Sequence, residues 1–361
     1  MMKDFMQKFG RVARKGWRKM NGKGKKKPFK QLEAWKIALA DVLAIGICLL
    51  VFAYFDHVRP SVYQKDVSNQ KLSLSSSVPE DDQQAQLQSS TGATGEPMAE
   101  PTPDPDSWRT KFADQFASGG PVRTENSYKS ENVSVTLTKY SVPEQELTYY
   151  VQDVYVADIE CIRNVFAKDT FGKGITEEVI DMDNRVGAIG AINGDYYGHG
   201  DIGVVIRNGI LYRESWAADL DVMVLFRDGT MKAYSSEKEF NAEEVMAAGA
   251  WQAWCFGPSL LDENGELHES YERTNHDPRT VFGMIEPGHY VLITIDGRQG
   301  SYSEGTTYRE TAELCKALGC KVAYNLDGGK TAQMTFGGKI ANQPYEGGRK
   351  VSDMIYIADI G

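Results

Sequence analysis

Four short clusters in this 361-residue chain gather Asp, Asn or Arg, three of them beside glycine and one beside proline. They are Asn193-Gly194-Asp195-Tyr196-Tyr197, Asp277-Pro278-Arg279-Thr280, Asp296-Gly297-Arg298 with Ser303-Glu304-Gly305 behind it, and Asn325-Leu326-Asp327-Gly328-Gly329-Lys330-Thr331. Glycine lets backbone come close to a ligand, and polar residues at strand ends and loops are where binding and catalysis concentrate. Asn-Gly-Asp and Asp-Gly-Gly are also common turn sequences, and Arg279 taken alone could serve a surface carboxylate. The repetition is more informative than any one cluster: an apolar run, then Asp or Asn, then Gly. A fold that gathers Asp195, Asp296 and Asp327 beside Arg279 and Arg298 makes a pocket suited to a sugar joined to a phosphate. Arginine grips phosphate oxygens with a planar fork. Carboxylates bind hydroxyls, stabilise an oxocarbenium-like centre or move protons.

Those clusters need strands to carry them. Apolar runs read as strands over Val133–Tyr140, Thr148–Ala157, Val186–Ile192, Gly203–Arg207, Val222–Phe226, Thr280–Ile285, Tyr290–Ile295, Lys321–Tyr324 and Met354–Ala358, with Asn208–Gly209 and Asp228–Gly229 as hairpin turns. Helical patterns are fewer: Thr176–Arg185, Ala242–Ala248 and Tyr308–Leu318. The last has capping-box spacing between Thr307 and Glu310, and Gly319 follows it. Strands outnumber helices without alternating with them, so the expected class is α+β, built on a large mixed sheet. Cys161, Cys255, Cys315 and Cys320 read as partly buried free thiols, although an even number in an exported domain also permits two disulfides. The Cys315–Cys320 gap, with no His nearby, argues against zinc.

The charge is unevenly distributed. Residues 1–36 hold 13 Lys or Arg against Asp4 and Glu33, a formal +11, whereas the whole chain is −10 and residues 37–361 therefore carry −21. A basic head can bind nucleic acid, but here Ile37–Phe55 follows, 19 residues with Asp41 as the single charge. That length suits a membrane span, and the basic side suits the cytoplasm. The expected organisation is a cytoplasmic tail (1–36), an uncleaved transmembrane signal anchor (37–55), a disordered linker rich in Ser, Gln and Pro (56–107) and an extracytoplasmic domain (108–361). The membrane is thus an expected partner, and nucleic acid is not.

Over roughly residues 130–361 the order Asn193-Gly194-Asp195-Tyr196-Tyr197, Phe256-Gly257-Pro258-Ser259-Leu260, Arg279-Thr280, Asp296-Gly297-Arg298, Asn325-Leu326-Asp327-Gly328-Gly329 and Arg349 resembles the phosphodiester glycosidase family. The family usually continues Asp-Gly-Gly with a further glycine and serines, where this chain has Lys330, Thr331 and Ala332. It commonly has Asn-Gly-Gly-Phe-Phe where Asp195 and two tyrosines stand. The resemblance implies a hydrolase that cleaves the glycosidic bond of a sugar-1-phosphodiester in a cell-surface or wall glycan. It implies Asp327, Asp296 and Asp195 as catalytic candidates. Arg279, Arg298, Asn193, Asn325, Glu304, Thr280, Gly328, Gly329 and Thr331 are the implied substrate-binding residues. No cofactor is expected, and the sequence sets no metal requirement. Two other functions fit the same residues: an anchored, catalytically weak module that binds phosphate-linked glycans, and a glycosidase acting on neutral glycans.

Overall fold

The computed structural model describes residues 34–54, 60–66, 107–235, 237–262, 264–267 and 274–360. Two compact units are present, Met1–Arg59 and Pro60–Gly361. In the first, Ala34–Ala53 is a helix overlapping the expected span. It has apolar side chains on all sides, and Leu43, Ile47, Leu50 and Phe52 are each more than half exposed. Taken over the described residues, no helix is long and apolar enough to cross a membrane. The basic tail up to residue 33, and residues 67–106 of the expected linker, lie outside the described residues.

The start of that linker behaves differently from the expectation. Ser61–Lys65 is a strand paired antiparallel with Thr170–Lys173 in the second unit. Asp66 follows it into the interior and accepts a hydrogen bond of 2.9 Å from the Tyr212 hydroxyl. Gly172 permits the pairing, because a Cβ there would lie 2.1 Å from the Ser61 carbonyl oxygen. The polar composition of 56–107 hid these few residues, whose contacts are supplied by the partner strand.

The α+β class stands, with three short helices of the second unit close to the expected places: Val179–Val186, Ala242–Ala247 and Tyr308–Ala317. The single mixed sheet does not. An eight-stranded sheet, two five-stranded sheets and the two-stranded ribbon take its place, and every strand pairing among their described residues is antiparallel. In the eight-stranded sheet Arg279–Glu286 lies between Val322–Asn325 and His289–Ile295. One five-stranded sheet centres on Gly190–Asn193, between Met334–Phe336 and Asp353–Ile357, and the other on Ala250–Phe256.

Trp254, Phe282, Tyr290, Tyr324 and Ile355, drawn from all three sheets, share one buried cluster. Register then decides what stands at the sheet's end: Arg279 faces Ile295, and Val281 faces Asn325. Arg279, Asp296 and Asn325 are therefore at one edge of the eight-stranded sheet. The helix Tyr308–Ala317 closes over this edge, burying Tyr308, Ala312 and Cys315 in a cluster with Leu260, Val281 and Ile293. Its capping box forms: the Thr307 hydroxyl accepts from the Glu310 N–H at 3.2 Å, and the Glu310 carboxylate accepts from the Thr307 N–H at 2.8 Å. Cys161, Cys255, Cys315 and Cys320 are buried free thiols.

Candidate active site

A cleft of about 310 Å³ opens at that edge. Four cations line it, Arg279, Arg298, Lys330 and Arg349, against two carboxylates, Asp277 and Asp327; Phe256 and Tyr308 supply rings. Asp327 follows the strand Val322–Asn325, its side chain 13% exposed, with Arg349 Nη2 3.2 Å from Oδ2 and the Gly328 N–H donating to Oδ1 at 2.9 Å. Burial raises the Asp327 pKa above the ordinary carboxylate value, against the opposing pull of Arg349 and of the Thr331 and Gly328 donors. Gly328 is required by a close approach: a Cβ would sit 2.5 Å from the Pro278 carbonyl oxygen. Thr331 does not face a ligand; its hydroxyl donates to the Gly328 carbonyl at 2.7 Å and so holds the same turn. Gly329 donates its N–H to the Pro278 carbonyl at 3.0 Å and lines the cleft.

The arginines are arranged by Asp277. It lies 2.8 Å from Arg298 Nη2 and 3.7 Å from Arg279 Nη2. Arg279 is only 4% exposed; Nε donates to the Thr306 carbonyl and Nη2 to the Asn275 carbonyl, both at 3.0 Å. Its guanidinium lies 4.1 Å from the Tyr308 ring centroid. Arg298 is nearly half exposed and stands in the left-handed region at φ 58°, a conformation that costs a non-glycine residue of order 1 kcal/mol and must be held by its surroundings. Arg298 and Arg349 thus present more surface to a ligand than Arg279 does. Lys330 is ion-paired with Glu346.

Several expected site residues lie elsewhere. Asp195 is buried away from the cleft: Arg207 is 2.9 Å away, and the backbone N–H groups of Cys255 and Tyr197 donate to it at 2.9 and 3.1 Å. Its carboxylate balances a buried arginine rather than facing a ligand. Asp296 is 1% exposed and accepts from Asn342 Nδ2 (2.8 Å), the Gln343 N–H (3.0 Å) and the Tyr302 hydroxyl (2.8 Å). Burial raises its pKa, and those three donors oppose the rise. It fastens the 342–343 backbone to the strand end.

Asn193 is fully buried, and its Nδ2 donates to the Asp327 carbonyl at 2.7 Å. Its Oδ1 accepts from the Thr280 hydroxyl at 2.8 Å. Asn193 and Thr280 therefore lie behind the cleft wall and hold Asp327 in place. Asn325 lines the cleft, its Nδ2 donating to the Gly257 carbonyl at 2.8 Å. Glu304 is exposed and does not line the cleft; only its backbone contributes, as its carbonyl accepts from the Arg298 N–H at 3.1 Å. Sequence reasoning passed over Asp277 and Arg349 as site residues, although both stand inside the quoted motifs. An Asp one residue before a Pro-Arg pair is the recoverable signal. Among the described residues, no group of three His, Cys, Asp or Glu is placed to hold a metal ion.

A family model described as Phosphodiester glycosidase matches residues 186–358, which contain every residue lining the cleft. A curated relative, the SPbeta prophage-derived uncharacterized protein YomE of Bacillus subtilis (strain 168), is 31% identical over 198 residues, 52% of this chain. The chain spans only 30% of that protein's length. Among solved structures, the fold is similar to the catalytic domain of zebrafish N-acetylglucosamine-1-phosphodiester alpha-N-acetylglucosaminidase, auto-inhibited by its pro-peptide. The TM-score is 0.50 at 19% identity, covering 63% of this chain and 84% of that one. Motif order and family model agree over the part of the domain that carries the cleft: residues 186–358 match the phosphodiester glycosidase family model.

Proposed function

We propose that the domain hydrolyses the glycosidic bond of a sugar-1-phosphodiester, releasing the sugar and a phosphomonoester. The observation that carries this is the cleft's charge: four cations and two carboxylates beside the rings of Phe256 and Tyr308, with Asp327 the carboxylate just past the end of a sheet strand. The surplus is two positive charges, and a phosphodiester brings one negative charge to meet it. The half-exposed forks of Arg298 and Arg349 take the phosphate, and Arg279 acts from behind by fixing Asp277 and the 306 backbone. The bond between the anomeric carbon and the phosphate oxygen breaks. Phosphate departs readily, so the site has chiefly to stabilise positive charge developing on the sugar and to position water, and Asp327 is placed for that task. Asp195 and Asp296 are assigned structural roles in this reading.

Hydrolysis in heavy-oxygen water tests the bond assignment. Label belongs on the anomeric hydroxyl, read before mutarotation exchanges it, with none in the phosphate. Attack at phosphorus would put label in the phosphate and overturn the reading.

The location follows the charge pattern: a cytoplasmic basic tail, an anchor at Ile37–Phe55 and a domain held outside, where phosphate-linked surface glycans are the natural substrates. The +11 head and the exposed apolar side chains of Ala34–Ala53 support it.

A further inference from the structure

A second cavity, about 540 Å³ and larger than the cleft, opens between the eight-stranded sheet and the Met334–Ile340 hairpin. Arg123, Lys139 and Lys339 line it, with Tyr150, Phe336 and Ala341, and Glu125 is the carboxylate on its rim. Lys139 Nζ lies 5.4 Å from the Tyr150 ring centroid and 5.6 Å from that of Tyr302. Among the ion pairs of the described residues, none involves Arg123, Lys139 or Lys339, whereas Arg298, Lys330 and Arg349 in the cleft are all paired.

Surface cations are usually a solvated face. Three that converge with Glu125 as the one carboxylate lining the space, in a domain (residues 108–361) of formal charge −14, are a local exception; Lys139 also acts on the buried Asp296, and the space they border is concave and holds the rings of Tyr150 and Phe336. One segment joins this space to the cleft. Ala341 lines the second cavity, Asn342 and Gln343 donate to Asp296, Tyr345 lies 5.6 Å from Arg298, and Arg349 meets Asp327. Nine residues reach at most about 30 Å, within the length of a short glycan.

We propose that this cavity is a second subsite, taking a further phosphate-bearing unit of a polyanionic glycan whose scissile phosphodiester lies in the cleft. The proposal rests on the phosphodiester reading of the cleft and adds that the substrate is a polymer rather than a small diester. A ligand long enough to occupy both places binds with the gain of a tethered second contact, about tenfold or more.

Calorimetry on the full chain, with long-chain inorganic polyphosphate compared against tripolyphosphate, reads this gain as a ratio of affinities. The long chain should bind about tenfold tighter or better. Lys139→Gln with Lys339→Gln should bring the ratio close to one while tripolyphosphate binding stays as it was. The charge-matched pair Lys232→Gln, on the strand Met231–Tyr234 of a different sheet, with Lys238→Gln, in the turn after it, should leave the ratio intact. A ratio unchanged by the first pair, or lost equally with the control pair, would overturn the second subsite. Failure of tripolyphosphate to bind the unmodified chain would overturn the phosphodiester reading, and this proposal with it.

Discussion

Replacing Arg349 with Met removes the cation closest to Asp327, and the structure sets the size of the effect. The N···O distance is 3.2 Å. Two unit charges at that distance attract by about 1.3 kcal/mol in water and about 5 kcal/mol at an effective dielectric of 20. The Arg349 side chain is 46% exposed, so solvent screening places the pair near the lower value, about 1–2 kcal/mol. The sign is fixed by the burial of Asp327, which already raises its pKa; Arg349 opposes that rise, and its loss lets the pKa climb further. If Asp327 works as a carboxylate that stabilises the sugar cation, the acid limb of kcat/KM moves to higher pH in Arg349→Met, and at a pH on that limb about 1–2 kcal/mol corresponds to a rate lower by about tenfold. Arg349→Lys, which keeps the charge, should restore most of the shift while still losing the fork's grip. The assay is a pH–rate profile on a small sugar-1-phosphodiester. An acid limb that stays in place in a folded Arg349→Met variant would refute the reasoning, and a shifted alkaline limb would make Asp327 an acid instead.

Asp327→Asn should cut turnover by about a hundredfold or more with the thermal midpoint little changed; Arg279→Lys should cut it similarly in a folded domain with a lower midpoint, because an ammonium cannot reach the Thr306 and Asn275 carbonyls together. Arg207→Met leaves Asp195 and Asp353 buried without their cation and should lower stability by about 3–5 kcal/mol in denaturant titration. In the unmodified protein burial, reinforced by Asp195, pushes Asp353 up to about 7 against the pull of Arg207. Its contribution is therefore complete below an ordinary carboxylate pKa and fades as pH rises through about 7, visible as a falling unfolding midpoint between pH 4 and 7. Protease added outside intact cells should release the domain by cutting within residues 67–106, and protection until lysis would contradict the external placement.

The fold was legible where local chemistry decides it. Thr307 and Glu310 marked the helix start, and Asn208–Gly209 and Asp228–Gly229 marked hairpins, because capping and turn residues act on neighbours a few positions away. Ala250–Phe256 escaped attention because it is central in its sheet and inaccessible on both faces, so no alternation shows. Sheet count and direction escaped for the same reason: pairing partners are far apart in sequence. Within the site, glycine beside Asp marked a strand end correctly in the three clusters that contain it. It did not distinguish Asp327, which lines the cleft, from Asp195 and Asp296, which turn inward to Arg207 and to Asn342 and Tyr302. That difference depends on residues 6 to 46 positions away, beyond the reach of a strand-end turn pattern.

The domain's formal −14 over residues 108–361 and the cleft's surplus of cations set different requirements, and distance reconciles them. At physiological ionic strength the screening length is about 8 Å, so most of the domain's negative charge is not felt inside a cleft walled by its own arginines. An anionic ligand is therefore not drawn in from afar; it is held on arrival by groups within contact distance. Contact-range capture depends on geometry, which is why the site gives so much of its hydrogen bonding to positioning. Asp277 aims Arg298 and leans on Arg279, Asn193 pins the Asp327 carbonyl, and Asp296 anchors the segment that ends in Arg349. The carboxylates that left the cleft are, on this view, part of what keeps its cations in register.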